Sequence, residues 1–410
     1  MISTFSELPI SQCLQERLST NNFHTPTPVQ SGAIPTALAG KDLVATAQTG
    51  TGKTLAFLIP VLERLLKIQA TSVHVLVLVP TRELAIQVQQ QYEQLCGKKL
   101  RAAALVIGGV SERQQIATLR TANLVIATPG RLEDFLRRKL VNLDGTHILV
   151  LDEADRMLDM GFLPAIRRIA EALPKQRQTL CFSATLDPAV AHIFSDFVKD
   201  PVRIALGSTS KPADSVTLQA FEVASNQRLA LLSRLLKEEE GRYLVFVRTK
   251  RGADRLTRQL RKSGFSAGML HGNRSQSQRN AALADFQNGT VPILVATDVA
   301  SRGIHVDNVA HVINYELPQL AEDLIHRVGR TGRIGTQGLA SVFVAHQDRV
   351  EFRNVERTLG IKIQRMSVDE DLPLEERAGP VIVHGVPVQM SARSKMVKLP
   401  GELFQRYATV

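Results

Sequence analysis

The strongest constraint on how this chain folds is a rhythm in its apolar residues. Short, almost uninterrupted apolar runs recur between longer helix-like stretches: Leu43–Ala47, Val73–Val79, Ala103–Ile107, Leu124–Ala127, Ile148–Leu151 and Thr179–Phe182. Strands of that kind are apolar on both faces, as a parallel sheet covered by helices on both sides requires. A second series repeats the pattern at Leu244–Val247, Gly268–Leu270, Ile293–Ala296, Val309–Asn314 and Ala340–Val344. Between the two series, Gly207–Ser215 is small and polar, suited to a flexible linker. The expectation is an α/β protein of two parallel-sheet domains in tandem, residues 1–206 and 216–365. A linker at 207–215 joins them and a short extension, 366–410, follows. The 410 residues exceed one ordinary domain, and the 44% apolar content can fill two cores.

The chain carries a formal charge of +11, which favours a polyanionic partner. Most of the excess lies in the second half: 22 basic and 18 acidic residues up to Leu206, against 23 and 15 from Gly207 to Arg365. Tryptophan is absent and aromatics make up 5%, so base stacking is not the main source of affinity for a nucleic acid. Three scattered cysteines, Cys13, Cys96 and Cys181, form neither a disulfide framework nor a metal-ligand pattern. Nothing resembles a signal peptide, and no apolar run approaches the roughly 20 residues that span a bilayer. The expectation is a soluble, reduced, cytoplasmic monomer with no membrane partner. In the extension, Val381–Val388 reads as a small hairpin with Pro387 at an edge, and its role is not legible.

Chemistry enters at Ala47-Gln48-Thr49-Gly50-Thr51-Gly52-Lys53-Thr54, between an expected strand and an expected helix. Gly50 and Gly52 let successive backbone N–H groups turn toward a phosphate, and the helix start favours an anion. Lys53 supplies a charge for the outer phosphates of ATP, and the Thr54 hydroxyl can hold Mg²⁺. Ala47 stands where the general phosphate-loop pattern has its first glycine. Downstream, Ile148–Leu151 ends in Asp152-Glu153-Ala154-Asp155. At the carboxyl end of a parallel strand, Asp152 can join the Mg²⁺ shell and Glu153 can polarise a water aimed at the γ-phosphate. Alone, the same carboxylates also suit a helix start.

With Asp152-Glu153-Ala154-Asp155 in place, the chain resembles the DEAD-box RNA helicases, and the ordered motifs cover roughly residues 5 to 345. The resemblance implies two RecA-like domains sharing one ATP site in the cleft between them. Phe23 followed by Thr27-Pro28-Val29-Gln30 is similar to the adenine-reading Q motif: Gln30 selects ATP and Phe23 offers a face to the ring. Pro80-Thr81-Arg82-Glu83-Leu84-Ala85, Gly108-Gly109 and Thr128-Pro129-Gly130-Arg131 resemble RNA-contacting segments, as do Thr249, Gln276, Arg279 and Thr297 in the second half. These groups suit phosphate and sugar contacts, which position a strand without reading its sequence. Asp155, Ser183, Thr185 and Asp298 fall at the coupling motifs. Arg302 falls near the hydrolytic centre, and Gly303 and His305 near the nucleotide ribose. His326, Arg330 and Arg333 match the segment that supplies arginine fingers across the cleft. Arg156–Phe162 is most similar to the bacterial RhlE-type subgroup.

The resemblance implies that ATP and single-stranded RNA jointly favour closure, which bends the strand and separates a few base pairs; hydrolysis then releases it. RNA–protein particles, as in ribosome assembly or mRNA decay, are the partner class this implies. An ATP-gated RNA clamp or annealing scaffold would keep the same motifs, and retention of RNA against duplex separation discriminates the two. Three positions depart from the family pattern. Asn22 stands for a common glycine, Leu324 for a common aromatic, and His305 for an aspartate that normally helps hold the ribose.

Overall fold

The computed structural model describes residues 3–47, 51–68, 72–185, 191, 194–206, 215–238, 240–298, 309–332, 337–368 and 372–373. The expected linker up to Asp214 and the hairpin at Val381–Val388 lie outside them. Residues 1–374 form one compact unit containing two seven-stranded sheets.

The first sheet holds β1 (Leu43–Thr46), β2 (Val75–Leu78), β3 (Ala104–Val106), β4 (Leu124–Ala127), β5 (Ile148–Leu151), β6 (Gln178–Ser183) and β7 (Val202–Ala205). Its spatial order is β3-β4-β2-β5-β6-β1-β7, with every pairing parallel. Helices α1 (Gln12–Thr20), α2 (Pro28–Leu38), α3 (Lys53–Lys67) and α4 (Arg82–Cys96) carry the core of one face. Helices α5 (Glu112–Leu119), α6 (Pro129–Arg137), α7 (Ala154–Asp159) and α8 (Leu163–Glu171) carry that of the other.

The period-two geometry of a strand shows directly in β2. Val75 and Val77 enter the first core while Leu76 and Leu78 enter the second, and all four are buried. Such a strand leaves no polar position for solvent, which is why the sequence reads as a continuous apolar run.

The second sheet repeats the plan with β8 (Val216–Glu222), β9 (Tyr243–Phe246), β10 (Ala267–Leu270), β11 (Ile293–Ala296), β12 (His311–Asn314), β13 (Gly338–Val344) and β14 (Gln364–Met366). Its order is β10-β11-β9-β12-β13-β8-β14, again parallel throughout. Leu244 and Phe246 face one core, Tyr243 and Val245 the other. The helices are α9 (Arg228–Glu238), α10 (Lys250–Lys262), α11 (Gln276–Gln287), α12 (Ala321–Val328) and α13 (Arg349–Leu359).

Three strands were not among the expected runs. In β7, Arg203 and Ala205 are exposed, and β14 is three residues at a sheet edge, so neither has the apolar density of a buried strand. In β8, Thr217, Gln219 and Glu222 interrupt the apolar residues. Two unusual residues find their reasons here. Asn22 takes φ +61°, a left-handed conformation that glycine adopts freely and asparagine tolerates better than most residues. Leu324 is wholly buried, so an aliphatic side chain fills the core position. Among the described residues, no helix is long and apolar enough to cross a membrane.

Candidate functional site

The strand order sorts the expected motifs into two groups. The phosphate loop follows β1, Asp152 and Glu153 follow β5, and Ala184-Thr185 follow β6; β5, β6 and β1 are neighbours. Arg82, Gly108 and Thr128 follow β2, β3 and β4, the other three neighbours. Both groups therefore lie outside the carboxyl ends of parallel strands, where open α/β sheets bind ligands.

At the phosphate loop, Gly52 is the N-cap of α3 with φ +88°. A Cβ there would lie 2.3 Å from Gln30 Nε2, so both conformation and space require glycine. The Lys53 ammonium is buried and donates to the Ala47 carbonyl at 2.9 Å. Ala47 is itself buried and its N–H donates to the Ser183 carbonyl at 3.1 Å, tying the loop to β6. Thr51 and Thr54 are half-buried on either side of Lys53. Gln48, Thr49 and Gly50 lie outside the described residues.

Gln30 is buried beside this loop. Its Oε1 accepts from the Thr27 N–H at 2.8 Å, and its Nε2 donates to the Gly52 carbonyl at 3.0 Å. These bonds fix the amide's orientation and use one acceptor site and one proton. A second lone pair and a second proton are what an adenine N6–H and N7 require. Thr27 Oγ1 also donates to the Thr51 carbonyl at 2.7 Å, so the segment braces the loop twice. Phe23 is half-buried and packs against the core of the first sheet, leaving part of the ring accessible.

Asp152 is almost fully buried and accepts from the Glu153 N–H at 3.0 Å. Burial pushes its carboxyl up to about 7; Lys53 pulls it down and the neighbouring Glu153 pushes it further up. A buried carboxylate held this high is relieved by a cation. Asp152 and Thr54 therefore fit Mg²⁺ on the phosphates of a nucleotide at Lys53. Glu153 sits at φ +50°, a left-handed conformation in a non-glycine residue, and is buried. Such strain persists where the surroundings dictate it, and here it directs the carboxylate that the sequence assigns to catalysis.

Asp155 links two motifs. Its Oδ2 accepts from the Ala184 N–H, the Thr185 N–H and Thr185 Oγ1, at 3.1, 3.0 and 3.1 Å. Ser183 contributes through its backbone; its buried Oγ has no hydrogen-bond partner among the described residues.

Among the residues expected to contact RNA, Thr81, Thr128 and Thr249 are the N-cap residues of α4, α6 and α10. Thr81 and Thr249 accept from backbone N–H groups of their own helices. These helix starts present N–H groups and a positive dipole end, a natural phosphate site. Pro80 is buried before Thr81, and Thr297 is buried after β11. The Arg82 guanidinium lies over Gly108 and Gly109, where added Cβ atoms would approach its nitrogens to 2.7 and 2.4 Å. Arg131 lies over the Phe135 ring and within 3.5 Å of both Glu112 and Asp134. Any phosphate bound there would share it with those carboxylates.

The second half meets the first through pairings that no sequence motif marks. Glu83, buried, accepts from Gln276 Nε2 at 2.8 Å and pairs with Arg279 at 2.9 Å, so both expected RNA residues are anchored to the first half. Arg156 Nη1 pairs with Asp323 at 2.6 Å. Arg327 donates to both oxygens of Asp298 and to the Asn314 side chain and Glu316 carbonyl, and lies 5.1 Å from the Phe246 ring centroid. Arg330 is buried and shares a small gap with His326, Arg327, Asp298, Arg156 and Asp323. Only a charge-pairing argument across 167 residues would have found Arg156 and Asp323, and no local pattern supplies one. Arg302, Gly303, His305 and Arg333 lie outside the described residues.

Comparison with known proteins agrees with this geometry. Residues 27–193 match the DEAD/DEAH box helicase family and residues 227–335 the helicase conserved C-terminal domain. A DEAD-box ATP-dependent RNA helicase CshA of Geobacillus kaustophilus is 38% identical, over 92% of this chain and 81% of that protein. DEAD-box ATP-dependent RNA helicase 30 of Arabidopsis thaliana is 42% identical over 84% of this chain, which spans only 60% of that relative's length. Among solved structures, Saccharomyces cerevisiae Dbp5 bound to RNA and ADP BeF3 superposes with a TM-score of 0.82 at 30% identity, covering 90% of this chain and 96% of that one.

Proposed function

The chain belongs to the DEAD-box helicase family, and from that premise we propose that it is an ATP-dependent RNA helicase whose hydrolysis is stimulated by RNA. The observation that carries this reading is the division of the first sheet. Strands β5, β6 and β1 gather the phosphate chemistry, while β3, β4 and β2 present helix starts to a polyanion. The likeness to a yeast relative bound to RNA and ADP BeF3 supports placing both ligands here.

The division of labour follows from the side chains. Gln30 reads the adenine edge, and Phe23 covers the ring. Lys53 gives up the Ala47 carbonyl to take the outer phosphates. Mg²⁺ held by Thr54 and Asp152 would neutralise phosphate charge as it develops. Glu153 takes the proton of the attacking water, and Arg330 with Arg333 stabilises charge from across the cleft; such arginines contribute ~10³–10⁵ in rate in related systems. Asp155 transmits the state of the carboxylate motif to Ala184 and Thr185 through its three bonds. RNA lies across the starts of α4, α6 and α10, held by backbone contacts with little sequence preference. Binding that spans both halves makes coupling reciprocal: RNA tightens ATP as much as ATP tightens RNA.

Residues 1–206, 216–365 and 366–410 are read as the ATP-binding domain, the C-terminal helicase domain and an extension of unassigned role. The Arg156–Phe162 segment supports placement with the RhlE-type bacterial subgroup. One chain supplies both halves of the cleft, so it acts as a monomer, in the cytoplasm, on RNA and on RNA–protein particles such as those of ribosome assembly or mRNA decay. The test is steady-state ATP hydrolysis with and without single-stranded RNA. Stimulation of at least several-fold is expected, and turnover indifferent to RNA would overturn the reading.

A further inference from the structure

The ion pair between Arg156 and Asp323 has a role that the reading above does not require. Arg156 lies in the first turn of α7, three residues after Glu153; Asp323 lies in the first turn of α12, three residues before His326. Both side chains are buried, at 5% and 7% exposure, and meet at 2.6 Å. The gap around them, lined also by Asp298, His326, Arg327 and Arg330, is about 10 Å³, scarcely the room of one water. The pair is therefore almost shut off from solvent. Arg156 has a second, weaker acceptor in Asp159 at 3.4 Å on its own helix, and Asp159 is exposed.

A buried ion pair tolerates the loss of one partner badly, because the other charge is left buried and uncompensated. Were the halves to part, each group would return to water, and Asp159 would remain to steady Arg156. The interaction is thus conditional on closure. It also acts at a useful place: one helical turn separates Arg156 from Glu153, and one turn separates Asp323 from His326. Fixing the two helices to each other sets the catalytic carboxylate in register with the arginine-bearing segment.

We propose that Arg156 and Asp323 are positioning residues, an ionic latch across the cleft through which RNA binding raises ATP affinity and turnover. This rests on the RNA-helicase reading. The test is a double-mutant cycle in the full chain: Arg156→Gln, Asp323→Asn and the two together. ATP affinity is measured with and without saturating single-stranded RNA, alongside kcat and KM for hydrolysis. Each single variant is expected to lower the RNA-induced gain in ATP affinity about tenfold and to lower RNA-stimulated kcat. ATP affinity without RNA should stay within about twofold of the original protein. The double variant should be no worse than the poorer single one, since both charges leave together. Single variants that keep the full gain, or losses that multiply in the double variant, overturn the latch. If the unsubstituted protein shows no gain, the helicase reading fails and the latch with it; if it shows the gain and the variants keep it, the latch alone fails. A folding defect confined to one variant is exposed by its partner, because the two residues sit on different sheets' helices.

Discussion

Replacing Gln30 with alanine tests two consequences of one side chain. In the structure the amide closes two bonds, from the Thr27 N–H and to the Gly52 carbonyl, at 2.8 and 3.0 Å in a buried setting. Gln30→Ala removes both and leaves a half-buried donor and acceptor unpaired. Each net bond contributes about 0.5–1.5 kcal/mol, so nucleotide-free stability should fall by about 1–3 kcal/mol. For a domain of about 200 residues, at roughly 2–4 °C per kcal/mol, that corresponds to a drop of roughly 2–12 °C in melting temperature. The chain has no tryptophan, so thermal unfolding is followed by far-UV circular dichroism. The second arm compares ATP and GTP turnover side by side, where Gln30→Ala should blunt the preference for ATP. An unchanged melting temperature would show that the bonds to the loop do not brace it. Unchanged discrimination would remove Gln30 from adenine recognition, whatever the stability.

Glu153→Gln should bind ATP and RNA while losing nearly all hydrolysis; substantial steady-state turnover removes Glu153 from the catalytic role. His305→Asp should strengthen the linkage between ATP and RNA by on the order of 0.5–3 kcal/mol, because aspartate offers two accepting oxygens where neutral imidazole offers one. Titrating ATP with and without RNA at several pH values checks this, and equal coupling in both proteins refutes it. His74 supplies an acid prediction. Burial, then the charges of His147 and Arg64, depress it to about 4 from 6.5, so between these values the unfolded chain takes up a proton that the fold refuses. Its contribution is whole above pH 6.5 and is lost as the pH falls through 4. Denaturant melts at pH 7.5 and 5 should show His74→Gln losing less stability than the original protein, by on the order of 1 kcal/mol once solvent screening of the half-buried ring is allowed for; parallel losses count against it.

What the sequence shows and what it hides follow from how each residue is used. Strands such as β2 and β5 are buried on both faces, so burial itself writes a continuous apolar run into the chain. Gly52 was legible because phosphate contact requires it locally, and Asp155 because the motif it belongs to is contiguous. The edge strand β14, with Gln364 and Arg365 exposed, has no such imprint. Glu83, Arg156 and Arg327 fall within recognisable segments and Asp323 does not, but the pairings of all four were not legible, since each partner is brought near only by folding. Gln276 and Arg279 matched a motif, yet nothing local to either segment marks Glu83 as the residue that holds them.

ATP-driven closure on RNA is expected to separate strands and not merely to clamp them. The most direct measurement uses a short RNA duplex with a single-stranded extension and one labelled strand, at saturating ATP, with an excess of unlabelled competitor to prevent reannealing. Release of the labelled strand should require ATP and be lost in Glu153→Gln. A duplex that stays paired while the protein remains bound in ATP would contradict strand separation and favour the clamp.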